Sequence, residues 1–178
     1  LSLIVDLSAD APPPPLHWTL ADCPVTLSST FNVLSGQTLT IDAGVEVRCP
    51  SGTNAIACAG VTRANGTENA RIRFVPTTTG GTWGRIACSG PQESLFAWCD
   101  FERAASSGII QGRNSDVTLE HCRFIDVSVQ MVDLINTSCI IRHCEFDSIL
   151  NNELLHCTTM PANGHALLAY NRFGLPGV

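Results

Sequence analysis

Apolar residues recur along this chain with two spacings at once. Over short distances they alternate with polar ones: Leu39 and Ile41, Val45 and Val47, Ile72 and Phe74, Val117 and Leu119, Cys139 and Ile141. A two-residue period is the mark of a strand with one buried face. Over longer distances four segments share one pattern: Trp98-Cys99-Asp100-Phe101, His121-Cys122-Arg123-Phe124, His143-Cys144-Glu145-Phe146 and Tyr170-Asn171-Arg172-Phe173. Their phenylalanines lie 23, 22 and 27 residues apart. A second series holds Ile56-Ala57-Cys58, Ile86-Ala87-Cys88 and Leu155-His156-Cys157, with Ile109-Ile110-Gln111 and Leu134-Ile135-Asn136 filling the gap. Each period thus contains two or three short strands separated by Gly, Asn and Ser. Helical repeats are longer and need a 3.6-residue period. A coil of short strands turning once per roughly 22 residues is a parallel β-helix, and a chain of 178 residues would form about seven rungs. The alternation slips by one residue at His121 and at His143, which predicts a tight bend there.

The N-terminal half carries a further pattern, Val33-Leu34-Ser35-Gly36-Gln37-Thr38-Leu39-Thr40-Ile41-Asp42-Ala43-Gly44-Val45-Glu46-Val47. It continues with Gly60, Ala64-Asn65-Gly66-Thr67, Ile72-Arg73-Phe74 and Trp83-Gly84. These residues resemble secreted bacterial right-handed β-helix repeat proteins, the non-catalytic members of the pectate-lyase-like superfold. The resemblance spans roughly residues 18 to 175 and implies a right-handed parallel β-helix. It says little about activity, because adhesins, surface proteins and polysaccharide-acting enzymes share this scaffold.

Residues one period apart should stack about 4.8 Å from each other. Asp100, Arg123, Glu145 and Arg172 then form an outward ladder of alternating charge, and Cys99, Cys122, Cys144 and Asn171 an inward column. Trp98, His121, His143 and Tyr170 make a column at the bend. Its bland reading is a stack that stiffens the turn; its functional reading is an aromatic strip for glycans. Cys58 with Cys88 and Cys23 with Cys49 are the disulfide pairs to expect, since nine cysteines in one short chain point to an oxidising, extracellular compartment. No C-x-x-C pair supports a zinc site, and no metal or cofactor is expected.

Charge narrows the partners. The net charge is −6, and all ten basic residues are arginines, so nucleic acid is a poor partner. No apolar stretch is long enough for a membrane span. No basic-then-apolar start resembles a signal peptide, so a secreted chain would be in its mature form. Catalysis by paired carboxylates would draw on Asp100 with Glu102, or Glu120 with Asp100, but arginines neighbour them in the ladder. The Asp-Asp, Gly-His-Gly and Arg-Ile-Lys stretches of pectin-cleaving families are missing, and the expectation is a non-enzyme.

Residues 1–16 read as a separate unit ahead of a β-helix domain at 17–178. Leu1, Leu3, Val5 and Leu7 alternate and precede four prolines, Pro12 to Pro15, a stiff extended spacer. This strand either folds back on its own body or is donated to a neighbour. With a β-helix end left open, it points to an extracellular structural protein that polymerises head to tail into a filament or surface layer. The contact residues expected are Leu1, Leu3, Ile4, Val5, Leu7, Phe173 and Leu175. The alternative is a carbohydrate-binding or adhesin module, with Trp98, His121, His143 and Tyr170 touching glycan.

Overall fold

The computed structural model describes residues 16–52, 54–148 and 154–174. The expected contact residues Leu1, Leu3, Ile4, Val5, Leu7 and Leu175 lie outside the described residues. The chain coils through three parallel sheets, and every strand pairs with the third strand after it. Sheet A stacks β1 (Leu16–Trp18), β4 (Thr38–Ile41), β7 (Val61–Asn65), β10 (Glu93–Ala97), β13 (Asp116–Glu120), β16 (Ser138–Arg142) and β19 (Ala166–Ala169). Sheet B stacks β2 (Val25–Thr26), β5 (Glu46–Cys49), β8 (Ile72–Pro76), β11 (Cys99–Glu102), β14 (Arg123–Val127), β17 (Glu145–Ser148) and β20 (Arg172–Gly174). Sheet C stacks β3 (Phe31–Val33), β6 (Asn54–Cys58), β9 (Arg85–Cys88), β12 (Ile110–Arg113), β15 (Val132–Ile135) and β18 (Leu155–Thr158). The parallel β-helix of about seven turns read from the repeat is the observed fold. Leu20–Asp22 adds one short 3-10 turn.

Each inward position becomes a column through the core. In sheet A, Trp18, Ile41, Ala64, Phe96, Leu119, Ile141 and Leu168 stack in register. In sheet B the column is Val25, Val47, Phe74, Phe101, Phe124, Phe146 and Phe173. In sheet C it is Phe31, Ile56, Ile86, Ile110, Val132 and Leu155. The phenylalanine rings from Phe74 to Phe173 stack with centroids 4.9–5.1 Å apart. Such offset stacks add about 0.5–1.5 kcal/mol each beyond the area they bury.

The second repeat series slips at two rungs. Ile86-Ala87-Cys88 pairs with Ile110-Gln111-Gly112, and that strand with Val132-Asp133-Leu134. The expected partners were Ile109-Ile110-Gln111 and Leu134-Ile135-Asn136. The residue at the inward position differs as well. A Cβ on Gly112 would lie 2.8 Å from Leu134 Cδ2 and 2.9 Å from Thr137 Cγ2, so a glycine fills the inward position that a cysteine holds one turn earlier.

No two cysteines lie at bonding distance, so the expected Cys58–Cys88 and Cys23–Cys49 bonds are not seen. Cys58 and Cys88 do sit in register. In-register parallel stacking, however, holds neighbouring Cβ atoms near the strand spacing of about 4.8 Å, beyond the roughly 3.8 Å mean of a disulfide. Cys23 turns its sulfur to accept from the Glu46 N–H at 3.3 Å, while Cys49 is buried in the core. Burial pushes the Cys49 thiol well up and the Cys88 thiol up to about 12. These sulfurs behave as small apolar core atoms.

Candidate functional site: the corner stack and the two open ends

The bend expected at His121 and His143 is a left-handed residue between sheets A and B. Trp98, His121, His143 and Tyr170 have φ of 53, 54, 55 and 57°. For residues with a Cβ this conformation costs about 1–2 kcal/mol each. Their rings stack face to face along the solenoid, at 4.0 Å for Trp98–His121, 4.8 Å for His121–His143 and 5.0 Å for His143–Tyr170. Three stacks return about 0.5–1.5 kcal/mol each, and backbone hydrogen bonds also hold the corner. Trp98 N–H donates to Glu120 O at 2.8 Å, and those of His121 and His143 to Arg142 O and Ala169 O at 3.1 Å. Beneath the stack, the Cys122 thiol donates to Phe96 O at 3.2 Å and that of Cys144 to Leu119 O at 3.5 Å. Asn171 ends the cysteine column, its amide nitrogen donating to Ile141 O at 2.8 Å while its oxygen accepts from Cys144 N–H at 3.0 Å.

The geometry bears on the glycan strip. A sugar stacks on an aromatic face, but here the rings cover one another's faces. The outer face of Trp98 has the Arg71 guanidinium over it, 5.3 Å from the ring centroid. Tyr170, 83% exposed, keeps one face open. A recess of about 320 Å³ flanks the stack, with Arg71, Arg123, Glu68 and Glu145 on its walls. Burial, and then the neighbouring His143, lower the pKa of His121; a proton there is disfavoured.

The outward charge ladder is longer than the repeat revealed. Glu46, Arg73, Asp100, Arg123, Glu145 and Arg172 stand in one register column with strictly alternating sign. Asp100 is its fulcrum and is only 4% exposed. Arg123 grips it with Nε at 2.8 Å and Nη2 at 2.6 Å, and Arg71 Nε adds a third bond at 2.6 Å. Arg73 bridges Glu46 at 2.8 Å and Glu102 at 2.9 Å. Glu120 binds Arg142 at 2.6 Å. The three carboxylates weighed for glycoside chemistry, Asp100, Glu102 and Glu120, are each bound by arginine.

Sheet C carries an outward cluster that the sequence reading missed. Asp133 forms an ion pair with Arg113 and is hydrogen-bonded to His156 Nδ1 at 3.0 Å. Burial raises the pKa of Asp133, but the hydrogen bonds from Arg113 and His156 outweigh it and hold the carboxyl below its ordinary value. Asp133 and His156 are 23 residues apart, one period, so that spacing was the available signal. Among the described residues no group of three or more His, Cys, Asp or Glu is arranged to hold a metal ion, and no helix is long and apolar enough to cross a membrane.

The two ends remain. At the C-terminal end the core columns stop at Leu168, 47% exposed, and Phe173, 52% exposed. At the N-terminal end a cleft of about 310 Å³ is walled by Trp18, Val25, Leu27 and Phe31. Trp18 and Val25 head the columns that end at Leu168 and Phe173, and Phe31 heads the sheet C column. Among the described residues, side chains of the kind buried one turn further along the solenoid face outward at both ends of the described coil. No family model, curated protein or solved structure matches the chain, so no relative's function comes with the fold.

Proposed function

We propose that this protein is a non-enzymatic structural subunit that assembles head to tail with copies of itself into a filament or layer. One observation carries the reading: among the described residues the apolar core columns run unbroken to both ends of the described coil, with Leu168 and Phe173 about half exposed at one and a cleft of Trp18, Val25 and Phe31 at the other. Parallel sheets have complementary edges, so the last strands of one copy can pair with the first strands of the next. The two surfaces differ, and a heterologous contact that does not close propagates. Stacking would place Trp18 of one copy on Leu168 of another and Val25 on Phe173, continuing both columns. The arginine-bound carboxylates and self-covering rings favour this reading over a hydrolase or a glycan-binding adhesin. An extracellular setting rests on the resemblance of residues 33–47 to secreted bacterial β-helix proteins.

Sedimentation velocity across protein concentration tests the proposal. The expected result is a ladder of species that grows with concentration without stopping at a dimer. A single monomeric species up to the solubility limit would overturn it. Glycan binding by that monomer, lost in Tyr170→Ala, would put the adhesin reading in its place.

A further inference from the structure

The nine thiols differ in what they touch and in what reaches them. Seven are buried, Cys23 is half-buried and Cys157 is exposed. Cys99, Cys122 and Cys144 form a sealed column, each donating to a backbone carbonyl. Cys58 accepts from Thr62 Oγ1 at 3.3 Å. Cys139, buried, is hydrogen-bonded to the side chain of Cys157. That pair joins a core thiol to one that solvent reaches.

Two columns bring the pair together. Among the described residues Cys157 is the last of sheet C's inward column of Val33, Cys58, Cys88, Gly112 and Leu134. Cys139 stands in a sheet A column between Val117 and Ala166. The corner from β15 to β16 is only Asn136-Thr137, so the columns of Leu134 and Cys139 run side by side, with Cys157 one rung beyond Leu134. Backbone bonds fix both strands. Cys139 N–H donates to His165 O at 2.9 Å, and Asn136 N–H donates to Thr158 O and Thr159 O at 3.1 Å. Thr159, with φ of 50°, turns the chain directly after β18.

The chemistry of the pair favours a cation. The hydrogen bond with Cys157, and then burial, push the Cys139 thiol well up. Two thiolates side by side oppose one another, and a metal ion between them removes that opposition. The spacing agrees. No two cysteines lie at bonding distance, and a disulfide needs its sulfurs about 2 Å apart. Two metal–thiolate bonds of about 2.3 Å, opened to a wide angle, hold their sulfurs roughly 4–4.6 Å apart, close to the reach of a thiol–thiol hydrogen bond. The ligand count selects the ion. Among the described residues no third His, Cys, Asp or Glu joins the pair in a metal-binding group. Structural zinc takes four protein ligands. Soft thiolates select Cu(I), a closed-shell ion that two of them satisfy.

We propose that Cys139 and Cys157 form a two-thiolate binding site for a soft monovalent cation, Cu(I). The site goes beyond the assembly reading and does not depend on it. Cu(I) displaces both thiol protons and leaves a bis-thiolate complex with one net negative charge; no electron is transferred. Exposed Cys157 supplies the entry path, and buried Cys139 closes the inner side.

The test is anaerobic titration of the dilute full chain with Cu(I), in competition with the chelator bathocuproine disulfonate. The parent should take one Cu(I) per chain, with both thiol protons released and the fast thiol of Cys157 silenced. Loss of an outer-shell partner weakens a metal site about 10–100-fold, so loss of one of two ligands should weaken this one at least about 100-fold. Cys157→Ser changes an exposed side chain and should keep the circular dichroism of the parent. Cys139→Ala places at position 139 the residue type found one rung on, at Ala166. Both variants should lose Cu(I), whereas Cys23→Ser should bind it like the parent. X-ray absorption of the loaded parent should show two sulfur neighbours. No uptake by the parent, uptake unchanged in folded Cys157→Ser, or a copper site without two sulfurs overturns the inference and leaves head-to-tail stacking untouched.

Discussion

Two phenylalanines in one column provide a comparison that separates interior from interface. Phe124 is fully buried and stacks on Phe101 and on Phe146, each at 5.0 Å. Phe173 stacks on Phe146 at 4.9 Å and leaves 52% of its surface exposed. Phe124→Ala removes a buried ring and both stacks, at a cost of about 3–5 kcal/mol. For a chain of this size that lowers the melting temperature by roughly 10–15 °C. Phe173→Ala removes a half-covered ring from the last described turn. Solenoid turns contact only their neighbours, so the loss is local, about 1–2 kcal/mol. Its larger effect is on assembly. A phenylalanine side chain carries on the order of 200 Å²; covering the exposed half in a contact between copies is worth about 2–2.5 kcal/mol. Losing it raises the critical concentration roughly 30-fold or more. The assay is a thermal melt of dilute protein beside a pelleting titration for each variant. If Phe173→Ala costs as much stability as Phe124→Ala, or leaves the critical concentration within about twofold of the parent, the open-end reasoning fails.

Asp100→Asn strips the charge from a nearly buried carboxylate held by Arg71 and Arg123; it should cost about 2–3 kcal/mol, seen as a melting point lower by roughly 5–10 °C, and a change under 2 °C would contradict the clamp. His121 has a lowered pKa through burial and His143, so the unfolded chain binds the proton more tightly. Its contribution to stability is present above about pH 6.5 and is lost as pH falls from there through the folded value. The melting point should therefore drop between pH 7 and pH 5, less so in His121→Phe; an NMR titration midpoint at or above 6.5 would refute the sign. The thiols give a further check: with Cys157 exposed, Cys23 partly so and the other seven buried, a disulfide-exchange reagent such as DTNB should titrate no more than two sulfurs quickly before denaturation. More than two fast sulfurs would contradict the burial, and a total below nine after denaturation without reductant would argue for bonded cysteines.

Much of the coil is legible in the sequence because its period places like residues on like. The phenylalanine spacing, the inward cysteines and the bend at His121 and His143 all follow from one residue per rung being forced outward, inward or into the left-handed region. The ladder was read from Asp100 onward and extends two rungs lower, to Arg73 and Glu46, because residues 76–84 and the turn after Asn65 lengthen those rungs and blur the period. Sheet C was the hardest to read: Gly112 breaks its cysteine column and Asp133 stands outward between Val132 and Leu134, so apolar matching alone chose the wrong register. The disulfides are another matter. Sequence places Cys58 and Cys88 on adjoining rungs, but in-register stacking on parallel strands leaves their Cβ atoms too far apart to bond. The Asp133–His156 contact was within reach of the same one-period rule that found the charge ladder.

The most direct measurement of the central claim is the helical rise of the assembled protein by electron microscopy. The seven described layers at roughly 4.8 Å each predict a rise of about 34 Å, with a 4.8 Å layer line continuing across subunit boundaries. A rise that is no whole number of layers, or a closed dimer in place of a filament, would contradict head-to-tail continuation of the coil.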